Sequence, residues 1–188
     1  MLSHHVHQST VLELPSFFSK DFCASFLQRA AAAGFGEQVF YGDETRERAV
    51  LDSAEFAQEI WEQLPALPDL ATLYGAELRP DPDVEELASF RAVGLNARLR
   101  FYRYFEGARF SRHHDITYEA EHRSFLTLLV YLNEGMTGGE TCFDDALSIT
   151  PRTGSCVLFP HELMHQGNPV TEGTKVVLRT DVMYAFPY

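Results

Sequence analysis

Cysteine is scarce in this 188-residue chain, with three residues, Cys23, Cys142 and Cys156, widely spaced and never in a C-x-x-C pair. That excludes a disulfide framework and a zinc-finger site, and it fits a reducing, cytoplasmic compartment. Cations are also few: 15 Lys and Arg stand against 27 Asp and Glu, a formal net charge of −12. A field of that sign repels phosphate backbones and anionic bilayers, so neither a nucleic acid nor a membrane is expected as partner. No apolar run reaches the ~18 residues a membrane helix needs, and no basic segment leads into an apolar run near Met1. Internal repeats, low-complexity tracts and a linker between two cores are missing as well.

Apolar residues are plentiful, at 45% hydrophobic and 13% aromatic with 15 Phe. A chain of this length and composition can build one sizeable core, and a single domain over residues 1–188 is expected. Its first part, to about residue 96, reads as mixed and mainly helical support. Thr10 to Leu14 is a strand candidate; Ser19 can cap a helix with Phe22, Cys23, Phe26, Leu27 and Ala30 on one face, stopped by Gly34. Asp52 and Glu55 form a capping-box pattern ahead of Phe56, Ile60, Trp61 and Leu64, with Pro65 ending that helix. Residues 65–96, rich in Pro, Asp and Glu, are expected to form short helices and loops. From Ala97 the pattern changes to runs of β-branched and aromatic residues at 97–105, 124–132, 154–160 and 176–186. The fold class expected is mainly β with flanking α, a sandwich or barrel over about 97–188 with the N-terminal helices packed outside.

His113 and Asp115 are two apart, so on an extended backbone both project from one face and can converge on one point. One more neutral ligand would complete a 2-His-1-carboxylate facial triad, the arrangement that holds Fe(II) by one face and leaves the other open. His161 and His165 both compete for that place, and spacing alone does not choose between them.

The frame around these residues resembles the Fe(II)/2-oxoglutarate-dependent oxygenases of the prolyl 4-hydroxylase-like group. The matching text is the run Gly94 to Tyr104, Gly107, Phe110-x-x-His113-x-Asp115, Ser124 to Asn133, Gly138-Gly-Glu-Thr141, Pro151-x-x-Gly154, and His165-x-Gly-x-x-Val-x-x-Gly-x-Lys175. The resemblance implies a double-stranded β-helix, or jelly roll, with His113, Asp115 and His165 as iron ligands and His161 as a neighbour. It implies 2-oxoglutarate and O2 as cosubstrates, ascorbate as a candidate reductant, and release of succinate and CO2 as substrate is hydroxylated. Asp115 stands where halogenating relatives carry Gly or Ala, which favours hydroxylation or a related oxidation.

The same resemblance matches Lys175 to the cation that pairs with the far carboxylate of 2-oxoglutarate, since a buried charge without a partner is costly. Arg179, four residues on and on the same strand face, is an alternative or additional anchor. Tyr131 matches a position that hydrogen-bonds that carboxylate, with Thr127 on the same strand face. Tyr102, Tyr104 and Arg100 are candidates for the substrate mouth, while His114 and His122 take no assigned role. Family members act on peptidyl proline, amino acids and small natural products, so a small-molecule or peptide substrate is expected. The loops at about 35–50, 74–96 and 116–123 are where specificity would lie. Rival readings are a non-catalytic jelly-roll binding module and a nucleic-acid demethylase. The acidic balance, and Ala185 where a second arginine would stand, oppose the demethylase.

Overall fold

Two faces of one large sheet organise the molecule, and the alternation of side chains along its strands sorts residues between them. The computed structural model describes residues 5–7, 10–40, 44–74, 78, 87–143 and 147–186. Along the chain come β1 (His5–His7), β2 (Val11–Leu14), α1 (Lys20–Ala33), β3 (Gly36–Phe40), β4 (Glu44–Asp52), α2 (Ala54–Trp61) and α3 (Leu70–Tyr74). Next are β5 (Arg91–Leu95), β6 (Arg98–Tyr104), β7 (Phe110–His113), β8 (Arg123–Tyr131), β9 (Thr137–Gly138) and β10 (Thr141–Phe143). The chain continues through β11 (Leu147–Ile149), β12 (Cys156–Pro160), β13 (His165–Gly167), β14 (Val170–Glu172) and β15 (Lys175–Ala185).

The large sheet runs β1-β2-β12-β8-β15-β6-β4-β3, with β5 also on β15, and a smaller sheet runs β11-β10-β13-β7. This is the two-sheet jelly roll expected from the sequence. The four long strand runs read from the sequence are β6, β8, β12 and β15; the strand expected at Thr10 to Leu14 is β2, and the helix expected after Ser19 is α1.

Leu99 and Phe101 of β6, Leu128 and Val130 of β8, and Val176 and Leu178 of β15 face the helices, which bury Phe26, Ala57, Ile60 and Leu73 against them. The opposite face looks into the barrel, where Tyr131, Val157, Phe159 and Val177 join Phe143 and Ile149 of the small sheet. Register fixes who meets whom on that inner face: Lys175 lies opposite Tyr104, Val177 opposite Tyr102 and Arg179 opposite Arg100, while on the other flank Asp181 lies opposite Thr127.

Four local expectations change. Of the expected 35–50 loop, Gly36–Phe40 and the residues from Glu44 on are strand: β3 pairs antiparallel with β4, and β4 pairs with β6 from Glu47↔Arg103 to Asp52↔Arg98, while residues 41–43 lie outside the described residues. Before residue 97 the chain therefore gives strands to the sheet as well as helical support. The cap of α2 is Ser53, whose hydroxyl accepts the Phe56 N–H at 3.3 Å, because Asp52 still belongs to β4 and pairs with Arg98 at 3.2 Å. That helix also ends early, at Trp61, where Gln63 and Leu64 donate to Ile60 and Trp61 in a tightened last turn before Pro65. The expected 74–96 loop is corrected at its end, where Arg91–Leu95 is strand β5 paired with β15, while residues 75–77 and 79–86 lie outside the described residues. Among the described residues no helix is long and apolar enough to cross a membrane.

Candidate metal centre

β7 and β13 are antiparallel neighbours with His113 directly opposite His165, so their imidazoles rise from the same face of the small sheet, ring centroids 4.2 Å apart. Asp115 follows two residues after His113, its N–H bound to the His161 carbonyl at 3.0 Å, and completes the group. Ligand atoms of the three residues all lie within 4.8 Å of one another. Each imidazole Nδ1 meets a backbone carbonyl, Ser111 at 2.7 Å for His113 and Leu163 at 2.9 Å for His165. With Nδ1 as donor, the lone pair of each ring sits on Nε2, and both Nε2 atoms lie 3.8 Å from an Asp115 oxygen.

The protonation states suit cation binding. Burial pushes His113 down to about 4, with the neighbouring His165 adding to the effect, and burial lowers His165 too. Both rings are therefore neutral near pH 7. Burial alone would raise the Asp115 carboxyl, but the Arg179 guanidinium, His165 and the Thr127 hydroxyl outweigh it and hold the group below the usual carboxylate range. Among the described residues, His113 Nε2 is buried without a hydrogen-bond partner. An orphaned acceptor nitrogen beside a second imidazole and an ionised carboxylate is a donor set that fits Fe(II) or a similar divalent ion.

His161 is not part of that set. Its ring lies between Thr127 Oγ1 at 3.0 Å and Ser124 Oγ at 2.9 Å, and Thr127 in turn donates to Asp115 Oδ2. Arg179 grips the other oxygen, Nη2 to Oδ1 at 3.0 Å, so both Asp115 oxygens are fixed before any ion arrives.

The centre opens into a cavity walled by Tyr102, Tyr104, Phe110, Thr141, Phe159 and Lys175, with Thr127 and Arg179 also at its surface. Lys175 is buried, its ammonium donating to the Gly139 carbonyl at 2.6 Å beneath the rings of Tyr104 and Tyr131. Burial pushes it down to about 8, opposed by Glu140. Among the described residues it has no carboxylate within ion-pair distance, whereas Arg179 has two, Asp115 and Asp181. Tyr131 sits behind the wall, its hydroxyl donating to Thr141 Oγ1 at 2.8 Å. Arg100 is turned from the mouth to Asp181, 3.1 Å away. The sequence reading singled out neither Thr141 as a wall residue nor Asp181. Thr141 closes the Gly-Gly-Glu-Thr motif, and Asp181 is marked only as an acid inside the otherwise apolar end of β15.

Two histidines and a carboxylate thus converge at the mouth of a jelly roll, a group that could hold a metal ion by one face. Residues 99–180 match the family described as the 2OG-Fe(II) oxygenase superfamily. A PKHD-type hydroxylase of Acaryochloris marina is 33% identical over 84 residues, 42% of this chain, and the match spans 38% of that relative's length. In fold, the chain is similar to a Pseudomonas putida prolyl-4-hydroxylase, with TM-score 0.65, 16% identity and coverage of 94% of this chain and 93% of that one. It is also similar to a viral collagen prolyl hydroxylase of Paramecium bursaria Chlorella virus-1 in a 2OG complex, with TM-score 0.59, 18% identity and coverage of 94% and 96%. HygX of Streptomyces hygroscopicus, with nickel and 2-oxoglutarate bound, gives TM-score 0.57, 14% identity and coverage of 93% and 82%.

Proposed function

We propose that the protein is an Fe(II)- and 2-oxoglutarate-dependent dioxygenase that hydroxylates or otherwise oxidises a small molecule or a peptidyl or amino-acid substrate. The observation that carries this reading is one cavity holding both a three-ligand cluster and a buried ammonium with no carboxylate within ion-pair distance among the described residues. Iron bound there supplies the redox chemistry that couples decarboxylation of 2-oxoglutarate to succinate and CO2 with oxidation of substrate by O2.

In this reading His113, Asp115 and His165 hold the ion. Lys175 receives the far carboxylate of 2-oxoglutarate, a better anchor than Arg179, whose charge is committed to Asp115 and Asp181. Because Tyr131 donates to Thr141 Oγ1, the Thr141 O–H is left to point at the same carboxylate. Thr127 keeps Asp115 ionised and oriented rather than touching the cosubstrate. Tyr102 and Phe110 line the open side, where substrate would meet the centre.

Anaerobic visible spectroscopy of the apoprotein titrated with Fe(II) and 2-oxoglutarate tests this. A chelate charge-transfer band is expected in the wild type, absent in His165→Ala, and requiring at least about tenfold more 2-oxoglutarate in Lys175→Ala. No band in the wild type would overturn the oxygenase reading and favour a binding module of the same fold.

A further inference from the structure

Behind Asp115 runs a buried chain of charge that the proposed chemistry does not by itself require. Arg179 Nη2 lies 3.0 Å from Asp115 Oδ1 and 3.2 Å from Asp181 Oδ1; Asp181 Oδ2 in turn accepts from Arg100 Nη1 at 3.1 Å and from Asn96 Nδ2 at 3.0 Å. Asp181 is 1% exposed. Strand register builds the chain: Arg179 and Asp181 are alternate residues of β15 on the barrel side, with Arg100 opposite Arg179 on β6 and Thr127 opposite Asp181 on β8. The backbone secures its far end, the Asn96 N–H donating to the Asp181 carbonyl at 2.8 Å.

We propose that Asp181 is a positioning residue for the metal centre, holding the Arg179 guanidinium against Asp115 while sharing its charge, so that Asp115 stays oriented and still anionic enough to bind a cation. The inference rests on the metal reading above. Paired with Asp115 alone, a buried guanidinium would be a full counter-ion competing with the incoming metal for the same carboxylate. Paired with Asp181 as well, it is a clamp whose charge is divided between two acids. Arg100 balances the second acid, and the four side chains sum to zero in a place where net charge is expensive. Asn96 adds direction without charge.

The test is a double-mutant cycle read by Co(II) binding to the apoprotein under anaerobic conditions, followed by visible absorption, with thermal unfolding of each apoprotein alongside. Asp181→Asn is expected to weaken Co(II) at least about tenfold, in the range found for residues that orient metal ligands. In an Arg179→Gln background the same change is expected to shift Co(II) affinity less than about twofold, because the group through which it acts is gone. A purely structural role would lower the unfolding temperature and leave Co(II) affinity alone. Asn96→Ala, which removes one hydrogen bond and no charge, serves if Asp181→Asn does not fold. It is expected to weaken Co(II) about twofold to fivefold, and again only when Arg179 is present. Wild-type affinity in the folded Asp181 or Asn96 variant, or losses that simply add to that of Arg179→Gln, would overturn the proposal. Failure of the wild type to bind Co(II) would instead overturn the metal reading beneath it.

Discussion

Lys175 is the residue whose titration ought to be visible in function. Its folded pKa, about 8, lies below the ordinary 10.5, so between those values the unfolded chain holds more protons and stability rises with pH. Below about 8 the buried ammonium is charged and destabilising until an anion meets it. Binding of 2-oxoglutarate to the metal-loaded protein should therefore weaken as pH rises above about 8, as the ammonium loses its proton. In Lys175→Arg the dependence should flatten, because a guanidinium stays charged throughout. Calorimetric titration from pH 7 to pH 9.5 would show both, and an unchanged slope in Lys175→Arg would assign the pH effect elsewhere. At this scale the ligand group was legible because its three residues sit in dense motif text, Phe110-x-x-His113-x-Asp115 and His165-x-Gly. Asp181 was not, since Arg179 shares its strand face but its other partners, Arg100 and Asn96, become neighbours only through the packing of β15 beside β6 and the end of β5.

Elements differ in how strongly they are held and in how well they could be read. Strands β6, β8, β12 and β15 show β-branched and aromatic runs because at least one face of each is buried in a core. The paired strands β3 and β4 read as a loop in sequence because the barrel-side positions of β4 include Arg46 and Arg48, which break the apolar alternation that marks a half-buried strand. The three-residue and four-residue strands of the small sheet are too short to show any period. Helix α1 is anchored by Phe26, fully buried and within ring contact of Phe22, Phe56 and Phe101. Phe26→Ala should cost about 3–5 kcal/mol, measured as a lower urea midpoint at unchanged slope. The turn before β12 is tied to the start of that helix by the Phe18 N–H, which donates to the Gly154 carbonyl at 2.9 Å. Gly154 has φ +83°, and a Cβ there would lie 1.9 Å from the Phe18 carbonyl oxygen. Gly154→Ala should thus separate helix from strand and destabilise by more than the ~1 kcal/mol of an ordinary glycine replacement.

For the whole molecule, ligands that bind only the folded state add stability by mass action. Saturating the centre with Mn(II) and 2-oxoglutarate at about 100 times their dissociation constants should add roughly 2.7 kcal/mol for each independent site. For a chain of this size that raises the unfolding temperature by about 5–10 °C per site, and EDTA should reverse the metal part. His113→Ala should lose the metal-dependent shift while keeping the fold, since its ring stacks on Phe110 at the mouth rather than in the core beneath the helices. A wild-type shift that EDTA leaves intact would place the stabilising ion elsewhere.

The direct opposition of His113 and His165 across β7 and β13 also bears on folding fidelity. Side chains alternate with a period of two, so a slip of one residue between these strands would turn one imidazole away from the other. Both strands are short, three and four residues, and offer little apolar area to penalise such an error. A captured ion would make the native register the only one in which three ligands can be satisfied at once, acting as a proofreader of strand alignment. Chains that close the barrel out of register would then betray themselves as the fraction of folded protein that takes up no metal.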